Sequence, residues 1–246
     1  MDTPEYIYKY QALNINNLSA LNSSNLWFSD FASLNDPFEA SYEVAAKLIF
    51  SKDAHNYRFD DVIKKSISKS AVCSFSKVSP LDKGNFKTTS LMWSHYANQF
   101  SGICIEFNTQ KLLSSLRTRE NQLVFSDSVT YEDRIHEFND FIQIFDVDVM
   151  FKKHSSWEYE DEFRIVLIGD INNEGDSIQS KGLHSYDPTS ISRIFIGGRM
   201  DIHQRHLLEV IQGNINSDIE LVSLSIRNNS YSFGIDYPDD DDIEYI

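Results

Sequence analysis

Apolar positions in this chain fall mostly into short runs separated by polar turns, and the densest run is Ile165, Val166, Leu167 and Ile168. Four such residues without alternation predict a strand covered on both faces and set centrally in a sheet. Charge crowds its entrance, where residues 157–164 read WEYEDEFR. In extended geometry Glu160, Glu162 and Arg164 point to one side and Asp161 and Phe163 to the other. Further strands are predicted at 6–10 (YIYKY), 26–29 (LWFS), 71–76 (AVCSFS), 103–107 (ICIEF), within 123–131, and at 191–196 and 219–226.

Helical spacing predicts a capped helix from Ser90 or Thr89 through Phe100, with Gly102 as its stop. That helix brings Trp93, His95 and Tyr96 within one turn, either as satisfied core aromatics or as the wall of a pocket. A mostly exposed helix is predicted within 51–70, a polar one near 111–119, and another from Asp201 through Ile211. A long amphipathic helix is expected to open at Glu132 and Asp133. It would place Ile135, Phe138, Phe141, Ile142, Phe145 and Val149 on one face, end near Lys152 and Lys153, and deliver the 157–168 stretch across a sheet. Between elements, LNDPFE at 34–39 suits an Asx turn with Pro37 opening a helix; alternatively Asn35, Asp36 and Glu39 hold a ligand. Residues 79–90 are expected to form a loop by their Pro, Gly and polar content, with covering a site as one role open to it, and Gly197–Gly198 reads as an ordinary turn, since no phosphate-binding glycine motif accompanies it.

Composition narrows the class. The 246 residues, 13% of them aromatic, suffice for one sizeable core, and no low-complexity linker divides them, so residues 1–235 are expected to form a single domain. The net charge of −15 argues against a basic nucleic-acid groove, leaving only a local patch from Lys83, Lys87, Arg117 and Arg119. Residues 236–246 carry Asp236, Asp239 to Asp242 and Glu244 without a base. This run is expected to be a solvated acidic tail, or a segment through which a basic protein partner docks, or an imitation of nucleic-acid charge. Cys73 and Cys104 sit in separate apolar runs, as small buried hydrophobes rather than a disulfide or a metal pair. The start of the chain has no export pattern and no run spans a bilayer, so a cytoplasmic protein without structural metal is expected.

The candidate chemistry lies where the charges meet the strand. Arg164, two residues from Glu162 on one face, can keep one carboxylate ionised and leave the other to act on a ligand; the alternative is a salt-bridged strand end.

Four blocks, taken together, resemble a widespread uncharacterised bacterial family: YKY at 8–10 with WFS at 27–29 and NDPFE at 35–39; SFS at 74–76; WSHYA at 93–97 leading into the strand at 102–107; and WEYEDEFR at 157–164. More distantly, an aromatic and basic first strand, a serine-bearing middle strand and a late Glu-x-Glu entering an apolar strand are similar to the ADP-ribosyltransferase fold. The similarity implies an α+β chain of mixed, largely antiparallel sheets flanked by helices, with a split pair of sheets gripping NAD. It implies Glu162 as the catalytic glutamate and Glu160 as its acceptor-side partner. Ser74 or Ser76 would lie beside the nicotinamide ribose, Trp93 or Tyr96 would stack on a ring, and Tyr8, Lys9 and Arg164 would belong to the nucleotide site. This chain carries Lys9 where the first strand of that fold usually has Arg or His; His95 would stand in only by facing the same cleft. The setting so implied is a bacterial toxin or phage-defence effector. The alternatives are a hydrolase or nuclease using His95 with Asp36, Glu39, Glu160 or Glu162 around a divalent ion, and a protein-binding module without catalysis.

Overall fold

The computed structural model describes residues 3–44, 56–138 (main chain alone at 56–60), 147–170, 180–228 and 230–236. Its centre is an eight-stranded, largely antiparallel sheet. In chain order the strands that build it are β1 (Tyr6–Gln11), β4 (Ser70–Ser76), β5 (Ile103–Asn108), β6 (Leu123–Ser128), β10 (Glu162–Ile168), β12 (Ile191–Ile196), β13 (Glu220–Ile226) and β14 (Phe233–Ile235). They lie side by side as β14-β13-β12-β5-β1-β4-β10-β6, and only β12 and β13 run parallel. Short two-stranded ladders join β2 (Asn25–Phe28) to β11 (Gly182–Ser185), β3 (Tyr42–Val44) to β8 (His136–Phe138), and β7 (Thr130–Glu132) to β9 (Lys152–His154). The helices are α1 (Ile15–Asn22), α2 (Asn56–Ser68), α3 (Phe86–Tyr96), α4 (Thr109–Ser115) and α5 (Ile202–Ile215). The expected α+β class is thus observed. Among the described residues no helix is long and apolar enough to cross a membrane.

The sheet is not uniform along its width. β1 pairs with β5 through six consecutive residues and β4 pairs with β10 through seven, but β1 and β4 share a single register pair, Tyr8 with Ser76. Beyond it the two strands part. At the far end of the gap β2 leads Ser29 onto Val72 of β4 through an isolated bridge, and Lys9 spans the opening, its Nζ donating to the Ser74 carbonyl at 2.9 Å.

The two faces also differ. One is covered by α1, α4 and α5, whose Leu21, Leu112 and Leu208 join Ile7, Cys73, Ile105, Ile165 and Ile194 in a continuous apolar layer. On the other face the apolar residues fall into two separate groups. Met92 and Trp93 of α3 pack on Tyr10, Cys104 and Phe195, while Phe31, Phe138 and Met150 pack on Val72 and Val166. Period-two alternation also brings polar side chains onto this face: in register, Arg193, Glu106, Tyr8, Ser76 and Glu162 form one row across five strands.

Several expectations need correction. β10 is buried along its whole length as predicted, yet it lies next to the edge strand β6, shielded by packing on both faces rather than by a central position. Residues 155–160 are not extended. They form a 3₁₀ turn, and Asp161 then takes a left-handed conformation at φ 42° before the strand starts at Glu162; aspartate tolerates that region better than most side chains. The long helix from Glu132 is absent from the described part of that stretch, which holds β7, β8, a 3₁₀ turn at Asp148–Phe151 and β9; Phe141, Ile142 and Phe145 lie outside the described residues. Pairing of β7 with β9, tied by Lys152 to Glu132 at 2.8 Å, and of β8 with β3 overrides the helical spacing. α3 begins at Phe86 and not near Ser90, because the Thr89 and Ser90 hydroxyls bond back to carbonyls of the preceding turn instead of capping. Its end is at Tyr96, and Gly102 serves a close approach: a Cβ there would stand 2.4 Å from the Gln11 carbonyl oxygen. Asp36 makes the expected Asx turn, accepting from the Phe38 amide at 3.0 Å, but no helix follows Pro37. Of the acidic tail, only Asp236 falls within the described residues, its amide donating to the Ser223 carbonyl.

Candidate functional site

Where β1 and β4 part, a cavity of ≈ 410 Å³ opens, within the range of roughly 300–1,000 Å³ found for small-molecule sites. Its walls come from Lys9 and Tyr10 on β1, Ser74 and Ser76 on β4, and Asn25 and Trp27 on β2. Glu39, Tyr96, Lys153, Glu160 and Glu162 close one side with a dense set of charges.

Arg164 is the organising group. It is fully buried, and each of its five N–H donors has one acceptor. Nε and one Nη2 proton go to Glu162 at 2.8 and 3.0 Å, two donors go to Glu39 at 2.7 and 2.9 Å, and Nη1 also reaches the Met150 carbonyl at 2.8 Å. A planar guanidinium is the side chain that holds two carboxylates in this way. Lys153 completes the group. Its Nζ lies 2.7 Å from Glu160, 3.4 Å from Glu39 and 3.6 Å from Glu162, and 4.6 Å from the centre of the Trp157 ring. Tyr96 donates its hydroxyl proton to the second oxygen of Glu160 and accepts from the Asn35 amide at 3.3 Å. The Glu162 amide donates to the Tyr131 hydroxyl at 2.9 Å.

Three carboxylates share two cations, so the group carries one surplus negative charge when all are ionised. The two glutamates facing the cavity respond oppositely. Burial would raise the Glu162 carboxyl, but Arg164 and then Lys153, with hydrogen bonds from Arg164 and Ser74, hold it at about 2. At Glu160 burial prevails over Lys153, and neighbouring Glu162 adds to it, so this carboxyl stays above its ordinary value. Burial works against the Lys153 ammonium, yet the three glutamates keep its pKa raised. The Tyr96 phenol is pushed up by burial and then by Glu160, which keeps it protonated and donating. The site thus sets one carboxylate whose pKa is held low beside one whose pKa is raised.

The sequence-predicted residues divide clearly. Tyr8, Lys9, Ser74, Ser76, Tyr96, Glu160 and Glu162 all border the cavity. Arg164 lies directly behind it and touches the ligand space only through Glu39 and Glu162. Trp93 does not serve as a ring platform: 1% exposed, it is packed edge-on against Tyr10 and Phe100 in the core. His95 is exposed on the outer side of α3, its ring near Tyr159, and is not part of the cavity wall. Met92 and Tyr96, four residues apart, share a face of α3, whereas His95, one residue before Tyr96, is turned about 100° from it. Lys153 was placed at a helix end by its spacing. The signal for its role is the deficit of cations around a buried Glu-x-Glu-x-Arg. Among the described residues no group of three His, Cys, Asp or Glu side chains is arranged to hold a metal; Glu39, Glu160 and Glu162 are each committed to Arg164 or Lys153.

Fold and site together define a mixed α+β protein with a parted sheet and a buried carboxylate group at the opening. Residues 92–165 match the model of DUF2971, a protein family of unknown function, in keeping with the uncharacterised family expected from the sequence blocks. The matched stretch runs from Met92 in α3 to Ile165 in β10 and so contains Tyr96, Lys153, Glu160, Glu162 and Arg164. Neither curated proteins nor solved structures gave a match.

Proposed function

We propose that the chain is an enzyme of ADP-ribosyltransferase type that breaks the bond between nicotinamide and ribose in NAD and passes the ribosyl group to water or to an acceptor. The observation that carries this reading is the parted sheet with two glutamates beside the opening, one with its pKa held low and the other with its pKa raised. As the C1′–N bond breaks, its electron pair leaves with nicotinamide, which departs neutral, and positive charge develops on the ribosyl ring. Glu162, held anionic, stabilises that charge from the cavity wall. Glu160 takes a proton from the incoming hydroxyl as the new C1′–O bond forms. Tyr96 and Lys153 each hold one oxygen of Glu160 and fix its direction. Arg164 positions Glu162 without touching substrate.

Release of nicotinamide from NAD, by the wild-type chain and by Glu160→Gln and Glu162→Gln, tests the reading. Wild type is expected to release nicotinamide, and each variant to fall by about a hundredfold or more while keeping its fold. Equal release by all three, or none by folded wild type with water and cell extract both present as acceptors, rejects it.

A further inference from the structure

Trp27 is an anomaly of the fold that the reaction above does not use. On β2 its neighbours Leu26 and Phe28 are buried in the main apolar layer, and alternation turns the Trp27 ring the other way. It is 51% exposed, as is Leu183, its register partner on β11. An indole left half in water forgoes burial that its two neighbours obtain, and it borders the same cavity as Glu160 and Glu162.

The order of groups along the gap gives this ring a chemical meaning. Read along β4, Ser76 stands beside Glu162, Ser74 holds the Lys9 ammonium, and Val72 is bridged by Ser29, two residues after Trp27. Ser76 to Val72 spans about 13 Å of extended chain. A surplus carboxylate, then a cation, then an exposed aromatic ring is the order complementary to a sugar carrying developing positive charge, a phosphate, and a planar base. Lys9 keeps donors beyond the one used on Ser74, and a half-exposed tryptophan presents a π face on which any purine stacks.

We propose that Trp27 is the stacking platform for the purine ring at the end of the dinucleotide remote from the bond broken, with Lys9 on the phosphates between. The assignment rests on the NAD reading for the identity of the whole ligand, but purine recognition by Trp27 is measurable without turnover. Adenosine monophosphate and nicotinamide mononucleotide are titrated calorimetrically into wild type, Trp27→Ala and Trp27→Phe. Trp27→Ala is expected to weaken adenosine monophosphate at least about fivefold, from the typical worth of one stacked base. Trp27→Phe should fall between, and nicotinamide mononucleotide should change less than twofold. Equal affinity of wild type and Trp27→Ala for adenosine monophosphate, or no binding of it by wild type, overturns the assignment. NAD cleavage by wild type with purine affinity indifferent to residue 27 removes the platform and leaves the enzyme. Trp27-dependent purine binding without NAD cleavage does the reverse.

Discussion

Two buried ionic groups occupy the same face of the sheet and the same cross-strand row, separated by Tyr8 and Ser76. At one end Glu106 meets a single cation, Arg193, in a two-bond pair at 2.9 and 2.7 Å. At the other, Glu39, Glu160 and Glu162 share Arg164 and Lys153. The first group is balanced in charge, and the guanidinium side chain is 35% exposed, so water assists it. The second is unbalanced, almost wholly enclosed, and open only to the cavity between β1 and β4. A matched pair satisfies what the sheet buries. A surplus carboxylate with a raised pKa is a cost that packing alone gives no reason to keep, and in the reaction proposed above the positive charge developing on the ribosyl ring would offset it.

The largest effect that separates the two groups is loss of their arginines. Arg164→Met leaves two enclosed carboxylates without their main partner and is expected to cost about 3–5 kcal/mol in urea unfolding. Arg193→Met exposes one carboxylate near solvent and should cost less, about 1–3 kcal/mol, with nicotinamide release retained; equal losses would erase the distinction. Next in size is the acid profile. Glu162 titrates at about 2 in the folded chain against 4.5 as its ordinary value, so its stabilisation is complete above pH 4.5 and is lost as pH falls from there toward 2. Glu160 works in the opposite sense: its raised folded pKa means the native state gains stability as pH falls through that raised value toward 4.5. Unfolding free energy should therefore rise and then fall on acidification, and Glu160→Gln should abolish the rise alone. The smallest expected effect is that variant's stability at pH 7, within about 1 kcal/mol of wild type, because the charge removed is the surplus one.

Strands covered on both faces announce themselves in sequence by runs rich in apolar and β-branched residues, which is why 165–168, 71–76 and 103–107 are found where expected. The face shared by Glu162 and Arg164 was likewise legible from their spacing of two. The partners that come from afar were not. Glu39 enters through a turn 125 residues away from Arg164, and Lys153 through a short strand whose spacing imitates a helix. Both positions are set by tertiary pairing, to which local periodicity is blind. The same limit explains Trp93 and His95: helical spacing put three aromatic rings within one turn, but only Tyr96 lies on the face that borders the cavity. Glu160 reached the predicted neighbourhood by an unpredicted path, through a 3₁₀ turn and a left-handed Asp161 rather than along the strand.

The most direct test of the contrast between the groups is a carbon NMR spectrum of the chain labelled at the glutamate δ-carboxyl, assigned by Glu160→Gln and Glu106→Gln, before and after addition of a non-cleavable carbocyclic NAD analogue. The account predicts that the Glu160 resonance shifts on addition while that of Glu106 stays in place. Shifts of equal size at both carboxyls, or at neither, would contradict it.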